Sequence, residues 1–131
     1  AKTENSDTGG PLLADPFFKR KVAELEIDLT ALEFTELRTL AGESSGKGPG
    51  PESSILKIKG TEIQQRLTEL VLEAVGHYGA PYLRDLGHNT NLGPDYADGV
   101  AGNYFNMRKT SIYGGSNEIQ RNIIAKMVLG L

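Results

Sequence analysis

The sequence has no cysteine, no tryptophan, and only two histidines, His77 and His88, among its 131 residues. Without cysteine there is no disulfide framework, no thiolate nucleophile and no cysteine-ligated metal. Two histidines without a carboxylate at coordinating spacing do not make a metal site, so no metal is expected. Long apolar runs are missing too, and nothing approaches the roughly 20 apolar residues that a membrane-spanning helix requires. Excess charge of one sign is small: 14 basic and 17 acidic residues are interspersed and leave a net charge of −3, so there is no basic footprint for nucleic acid. The opening "AKTENSDTGG" lacks the basic-then-apolar layout of a secretory signal, which together with the missing cysteines points to an intracellular, cytoplasmic setting. A chain that opens without methionine on a polar stretch reads as a piece of a longer polypeptide. Residues 1–11 are expected to form a flexible polar segment and residues 12–131 a single domain.

What the sequence does contain is helical periodicity. In "ADPFFKRKVAELEIDLTALEFTELRTLAG", Asp15 suits an N-cap and Pro16 the first helical position. Phe18, Val22, Leu25, Leu29 and Leu32 follow a three-four spacing, and Ile27, Phe34 and Leu37 form a second stripe. The spacing predicts a long helix that touches more than one neighbour and ends at Gly42. The stretch "GESSGKGPGP" then reads as the most mobile internal loop. A second helix is expected from about Pro51 to Gly76, with Leu56, Ile63, Leu67, Leu70 and Ala74 on one face. Gly60 shares that face and is read as a point where another helix backbone comes close. After the irregular "GHYGAPYLRDLGHNTNLGPDY", Ala101, Tyr104, Phe105, Arg108 and Ile112 mark a third helix. Ile119, Ile123, Ile124, Met127, Val128 and Leu131 mark a fourth. No strand pattern occurs, so the fold class is all-α, an antiparallel helical bundle.

The junction of the last two helices, "SIYGGSNEIQRNII", carries the chemistry-bearing residues. Gly114 and Gly115 can adopt positive φ and leave space above the backbone, and Ser116 or Asn117 can cap the next helix. Asn117 and Gln120 have capping-box spacing. A helix start offers unpaired N–H groups and partial positive charge, which favours an anion, whereas Glu118 on the first turn repels one and suits hydroxyls such as those of a ribose. The residues themselves leave two readings open, an interhelix turn or a dinucleotide contact.

The stretch "IYGGSNEIQRNIIAKMVLGL" resembles the C-terminal signature of flavin-dependent acyl-CoA dehydrogenases. "DPFFKRKVAELEIDLTALEFTELRTL" and "GPESSILKIKGTEIQQRLTELVLEAVG" are similar to the long helices of that family's C-terminal domain. The resemblance covers residues 12 to 131, and "ILKIKGTEIQQRLTEL" is most similar to bacterial branches that include the large subunit of two-subunit pimeloyl-CoA dehydrogenases. It implies FAD as cofactor, an acyl-CoA thioester as substrate, oxidation to the trans-2-enoyl-CoA, an electron-transfer flavoprotein as acceptor, and a homo- or hetero-tetramer.

Carried over residue by residue, the resemblance makes Ser116, Gly115 and Glu118 cofactor contacts. In "LEAVGHYGAP", Gly76 and Gly79 fit a glutamine-x-x-glycine-glycine-x-glycine segment that approaches the FAD of a neighbouring subunit, although Glu73 stands at the glutamine position and His77 at the second glycine. The position that often holds the catalytic glutamate is Gly114, so no catalytic base is assigned and the base is expected upstream of Ala1. The family's arginine-x-x-phenylalanine-glycine segment has no match. Tyr113 is expected to pack at the bundle end, and Arg108 and Arg121 receive no role. The chain alone is expected to be inactive. The alternative reading is a non-catalytic assembly module of a heteromeric complex.

Overall fold

Helices dominate because the apolar residues recur at helical spacing and the glycines and prolines gather between those runs. The computed structural model describes residues 2, 4–6, 9–46, 48, 50–80 and 93–131. It contains α1 (Pro16–Ser44), α2 (Glu52–Val75), α3 (Val100–Met107) and α4 (Asn117–Leu129), with short 3-10 turns at Leu12–Ala14, Gly76–Gly79, Asp95–Ala97 and Arg108–Ser111. The fold is an all-α helical bundle, as expected, and no strand occurs among the described residues. None of the described helices is long and apolar enough to cross a membrane. His88 and most of the irregular stretch after α2, residues 81–92, lie outside the described residues.

α1 begins as the sequence predicts. The Asp15 carboxylate accepts from the backbone N–H groups of Phe17 and Phe18, both at 2.9 Å, and Pro16 occupies the first helical position. Its end differs from the expectation. The helix passes Gly42 and runs to Ser44, because Gly42 keeps a helical backbone and the left-handed residue is Gly46, at φ 87°. The hydroxyls of Ser44 and Ser45 donate to the carbonyls of Ala41 and Gly42 at 2.9 and 2.7 Å and satisfy acceptors of the last turn. α2 ends where predicted, with Gly76 at φ 59°.

Contacts divide the chain into two units. In the first, Ala1–Glu24 with Gln65–Arg108, the amine of Lys21 pairs with Glu73 at 2.7 Å and Arg66 with Glu24 at 3.7 Å, so the first half of α1 runs antiparallel to the second half of α2. Among its described residues Phe18, Val75, Ala97 and Ala101 are the buried apolar ones, and the Tyr96 hydroxyl donates to Glu4. In the second, Leu25–Gln64 with Lys109–Leu131, the buried apolar residues are Leu25, Ile58 and Ile63. A Cβ at Gly60 would lie 3.9 Å from the Leu32 side chain, an ordinary contact. Gly60 therefore faces α1, but through a side chain, and the expected close backbone approach is not found.

α2 buries two faces. The one the sequence shows, with Leu56, Gly60, Ile63, Leu70 and Ala74, is half-buried or buried, although Leu67 is 51% exposed. The other runs Ser54, Ile58, Thr61, Gln65, Thr68, Leu72, Val75 and is partly polar. Its polar members meet polar partners: Gln65 Nε2 donates to the carbonyls of Met107 and Arg108 at 3.4 and 3.0 Å. α3 consequently stops at Met107, and the chain tightens into a 3-10 turn, so Ile112 is not helical but sits in a turn, 67% exposed. α4 ends at Leu129 with Gly130 at φ 70°, which leaves Leu131 beyond the helix.

Candidate functional site

The junction between the Arg108–Ser111 turn and α4 is built by glycine backbone. Gly114 and Gly115 have φ of 59° and 82°, the left-handed region where side chains are strained, and this reverses the chain toward α4. Nothing lies within 4 Å of where a Gly114 Cβ would stand, so the space above that residue is open. At Gly115 a Cβ would meet Gln120 Nε2 at 2.9 Å.

Ser116 is the N-cap of α4, with extended backbone, and its hydroxyl accepts from the Ile119 N–H at 3.4 Å. This settles which residue caps. The Asn117–Gln120 capping box is not formed: Asn117 is the first helical residue and is buried, while Gln120 Nε2 donates to the Gly114 carbonyl at 3.1 Å. Register explains the difference, since with Ser116 as cap the box position falls on Ile119, which has no acceptor.

The Asn117 side chain points inward. Its Oδ1 accepts from the Lys57 amine of α2 at 2.8 Å and lies 3.3 Å from the Thr61 hydroxyl, which donates to the Ile58 carbonyl at 2.8 Å, and the same amine donates to the Ser111 carbonyl at 3.1 Å. Lys57 and Thr61 escaped the sequence reading because residues about 60 apart have no signature spacing. The available signal was the three-four recurrence of small polar residues along α2.

Glu118 projects from the first turn with its side chain 77% exposed, and Arg121 lies 3.7 Å away. Its carboxyl is held below the ordinary carboxylate range, first by a bond from its own backbone N–H, next by the Ser116 hydroxyl, and then by the charges of Arg121 and Lys57. The carboxylate thus uses donors that an anion at this helix mouth would need. A phosphate would have to displace it, whereas a vicinal diol could donate to it. The set offers an acceptor to hydroxyl groups and few free donors to an anion. Tyr113 is 54% exposed, with the Lys109 amine 5.6 Å from its ring centroid.

The other expected contacts lie in the first unit. Gly76 closes α2 in the left-handed region, and Gly79 is buried where a Cβ would stand 2.6 Å from Leu72 Cδ1. Gly76 therefore has a local backbone reason, and Gly79 a packing one. Glu73 is engaged by Lys21, and His77 is exposed. Arg108, given no role from sequence, ties α3 to α2: it reaches Glu69 at 2.6 Å, the Gln65 carbonyl at 2.6 Å and the Thr68 hydroxyl at 3.0 Å, with its guanidinium 4.4 Å from the Tyr104 ring centroid.

Residues 3–129 match the family described as acyl-CoA dehydrogenase, C-terminal domain. The chain belongs to that family. Among curated relatives it is 32% identical over 118 residues to the acyl-CoA dehydrogenase IpdE1 of Mycobacterium tuberculosis and 30% identical over 117 residues to that of Mycolicibacterium smegmatis. Each match covers 89% of this chain, which spans only 27% and 26% of the length of those relatives. Among solved structures it is similar to a chain of the ChsE4-ChsE5 complex from Mycobacterium tuberculosis, with a TM-score of 0.72 and 24% identity, covering 100% of this chain and 32% of that one. That likeness is one of fold.

Proposed function

We propose that this chain is the C-terminal helical domain of a flavin-dependent acyl-CoA dehydrogenase that oxidises an acyl-CoA thioester to the trans-2-enoyl-CoA. The observation that carries the reading is the family match over residues 3–129, joined to a Gly114–Glu118 turn whose donors and acceptor suit a flavin dinucleotide. Ser116 and the Gly115 backbone would meet the cofactor near its ribose and phosphates, and Glu118 would accept from ribose hydroxyls. Gly76 and Gly79 would lie against the cofactor of a neighbouring subunit. When bound, the flavin supplies the acceptor for the hydride leaving Cβ, and electrons pass on to an electron-transfer flavoprotein.

The base that removes the Cα proton lies outside this chain. Gly114 carries no proton acceptor, and its φ of 59° would strain a glutamate there. The isolated chain is accordingly inactive, and the complete cytoplasmic enzyme is a homo- or hetero-tetramer. A second reading, a subunit that keeps the bundle for assembly and leaves chemistry to a partner, is favoured by that same missing carboxylate. It gains support from the heteromeric complex that shares this fold.

The test uses the complete protein, stripped of flavin and titrated with FAD by flavin fluorescence. Glu118→Ala is expected to weaken binding about tenfold, the order of a lost charge-assisted hydrogen bond. Thermal unfolding of the apo form should barely change, because the side chain is exposed. Ser116→Ala should weaken FAD binding similarly and cost about 1 kcal/mol of stability as a lost cap. Unchanged FAD affinity in both variants would return the motif to the status of an interhelix turn.

A further inference from the structure

We propose that Lys57 is a positioning residue for the cofactor contact, a clamp reaching from α2 that bonds the chain on both sides of the Ile112–Ser116 turn. The inference rests on the reading of Gly115, Ser116 and Glu118 as cofactor contacts and adds to it the device that fixes their geometry.

Residues 112–116 are not helical, the two glycines have backbone freedom in the unfolded chain, and Ile112, Tyr113, Gly114 and Gly115 are exposed. A segment of that kind holds one geometry only if its ends are fixed. The upstream end is the Ser111 carbonyl, where the Arg108–Ser111 turn closes, and the downstream end is Asn117, the first residue of α4. One ammonium group donates to both, at 3.1 Å and 2.8 Å. Lysine suits this task because its ammonium has three donors and no acceptor, and two of the three are used on the two ends.

Asn117 completes the arrangement. It is 6% exposed, and its carboxamide is held by the Lys57 amine, with the Thr61 hydroxyl, which donates to the Ile58 carbonyl at 2.8 Å, 3.3 Å from its Oδ1. With Asn117 fixed, the direction of the first α4 turn is fixed, and with it Ser116 on one side and Glu118 on the other. Gln120 adds a tie from within α4 to the Gly114 carbonyl. The Lys57 charge also lies close enough to favour the ionised form of Glu118.

Lys59 provides an internal control. It carries the same charge two residues along α2, but it points elsewhere and pairs with Glu62 at 3.1 Å. A contribution from charge alone would be shared by both lysines, whereas a clamp belongs to Lys57.

The experiment compares Lys57→Met, Lys57→Arg, Lys59→Met and Ser116→Ala in the complete apo protein. It reads the dissociation constant for added FAD and the visible circular dichroism of the flavin at saturation. Lys57→Met is expected to raise the FAD dissociation constant about tenfold, the size of a lost charged hydrogen bond, and to alter the flavin dichroism. Lys57→Arg, whose fork can meet both acceptors, should recover most of the affinity and the wild-type dichroism. Lys59→Met should match wild type within about twofold, as an exposed pair of small worth.

Wild-type affinity and dichroism in Lys57→Met, alongside weakened binding in Ser116→Ala, would overturn the clamp and leave the cofactor reading standing. Equal weakening in Lys57→Met and Lys59→Met would overturn it in favour of a general charge effect. Failure of Lys57→Arg to recover would overturn the claim that a cation bridging the two acceptors is what matters. Wild-type behaviour in all variants, Ser116→Ala included, would remove the cofactor reading and the clamp together.

Discussion

Replacing Arg108 with methionine is expected to destabilise the chain by about 2 to 3 kcal/mol, the range for losing hydrogen bonds from a charged group together with a cation–π contact. Arg108 and Gln65 hold one another reciprocally. The guanidinium donates to the Gln65 carbonyl at 2.6 Å, and the Gln65 amide donates to the Arg108 carbonyl at 3.0 Å. Around that exchange, Glu69 and the buried Thr68 take further guanidinium bonds, and Tyr104 lies against its face. The Glu69 contact is partly exposed and contributes least, so most of the loss comes from Gln65, Thr68 and Tyr104. Methionine keeps much of the stem's packing and removes every donor, which isolates the polar contribution. Arg108→Lys should recover only part, because an ammonium cannot serve the same fork of acceptors and stack on the ring. Urea unfolding followed by circular dichroism measures both variants. A Lys variant equal to wild type, or a methionine variant within about 0.5 kcal/mol of it, would show that the network is marginal.

The second large effect concerns the outward stripe of α1. Ile27, Phe34 and Leu37 are 68%, 62% and 53% exposed, on the side of the helix away from the buried Phe18 and Leu25. On α4, Ile119 and Met127 are more than half exposed as well. A chain with this much uncovered apolar surface should self-associate at micromolar concentration. Burying an isoleucine or phenylalanine side chain is worth about 1.5 to 3 kcal/mol, so Ile27→Lys with Phe34→Glu should weaken association at least about a hundredfold. Helix content should persist, because neither residue belongs to the buried set and both replacements are adequate helix formers. Light scattering decides it. A monodisperse wild-type monomer, or a double variant that associates as before, would contradict the account.

Much of the fold was legible in the sequence because it rests on local rules. Asp15–Pro16 fixed the start of α1, and apolar spacing gave the helices. Gly76 marked the end of α2 through a positive φ that only a glycine adopts without strain. Where the reading failed, a local signal had two valid bearers and tertiary structure chose between them. Gly42 and Gly46 could each end α1, and the left-handed backbone went to the second. Ser116 and Asn117 could each cap α4. Asn117 was drawn inward by Lys57 and Thr61, contacts that span 60 and 56 residues and that no periodicity reports. The second buried face of α2 was missed for a related reason. It interleaves the polar Ser54, Thr61, Gln65 and Thr68 with Ile58, Leu72 and Val75, and a search for apolar stripes passes over polar residues even when their spacing is helical.

In the site, glycine, serine and glutamate at 114–118 were visible as a motif, and their family resemblance gave them a meaning that chemistry left open. The structure adds the orientation: Ser116 caps, Glu118 projects from the first turn of α4 with its carboxyl favoured in the ionised form, and the space over Gly114 stays clear.

The central claim, that this helical domain serves a flavin-dependent acyl-CoA dehydrogenase, is tested most directly by adding acyl-CoA thioesters anaerobically to the complete flavin-loaded protein and following its absorbance. The account predicts that the oxidised-flavin band bleaches with at least one thioester while an equivalent of the trans-2-enoyl-CoA forms. A complete protein that binds no flavin, or whose flavin stays oxidised with every saturated acyl-CoA tried, would contradict it.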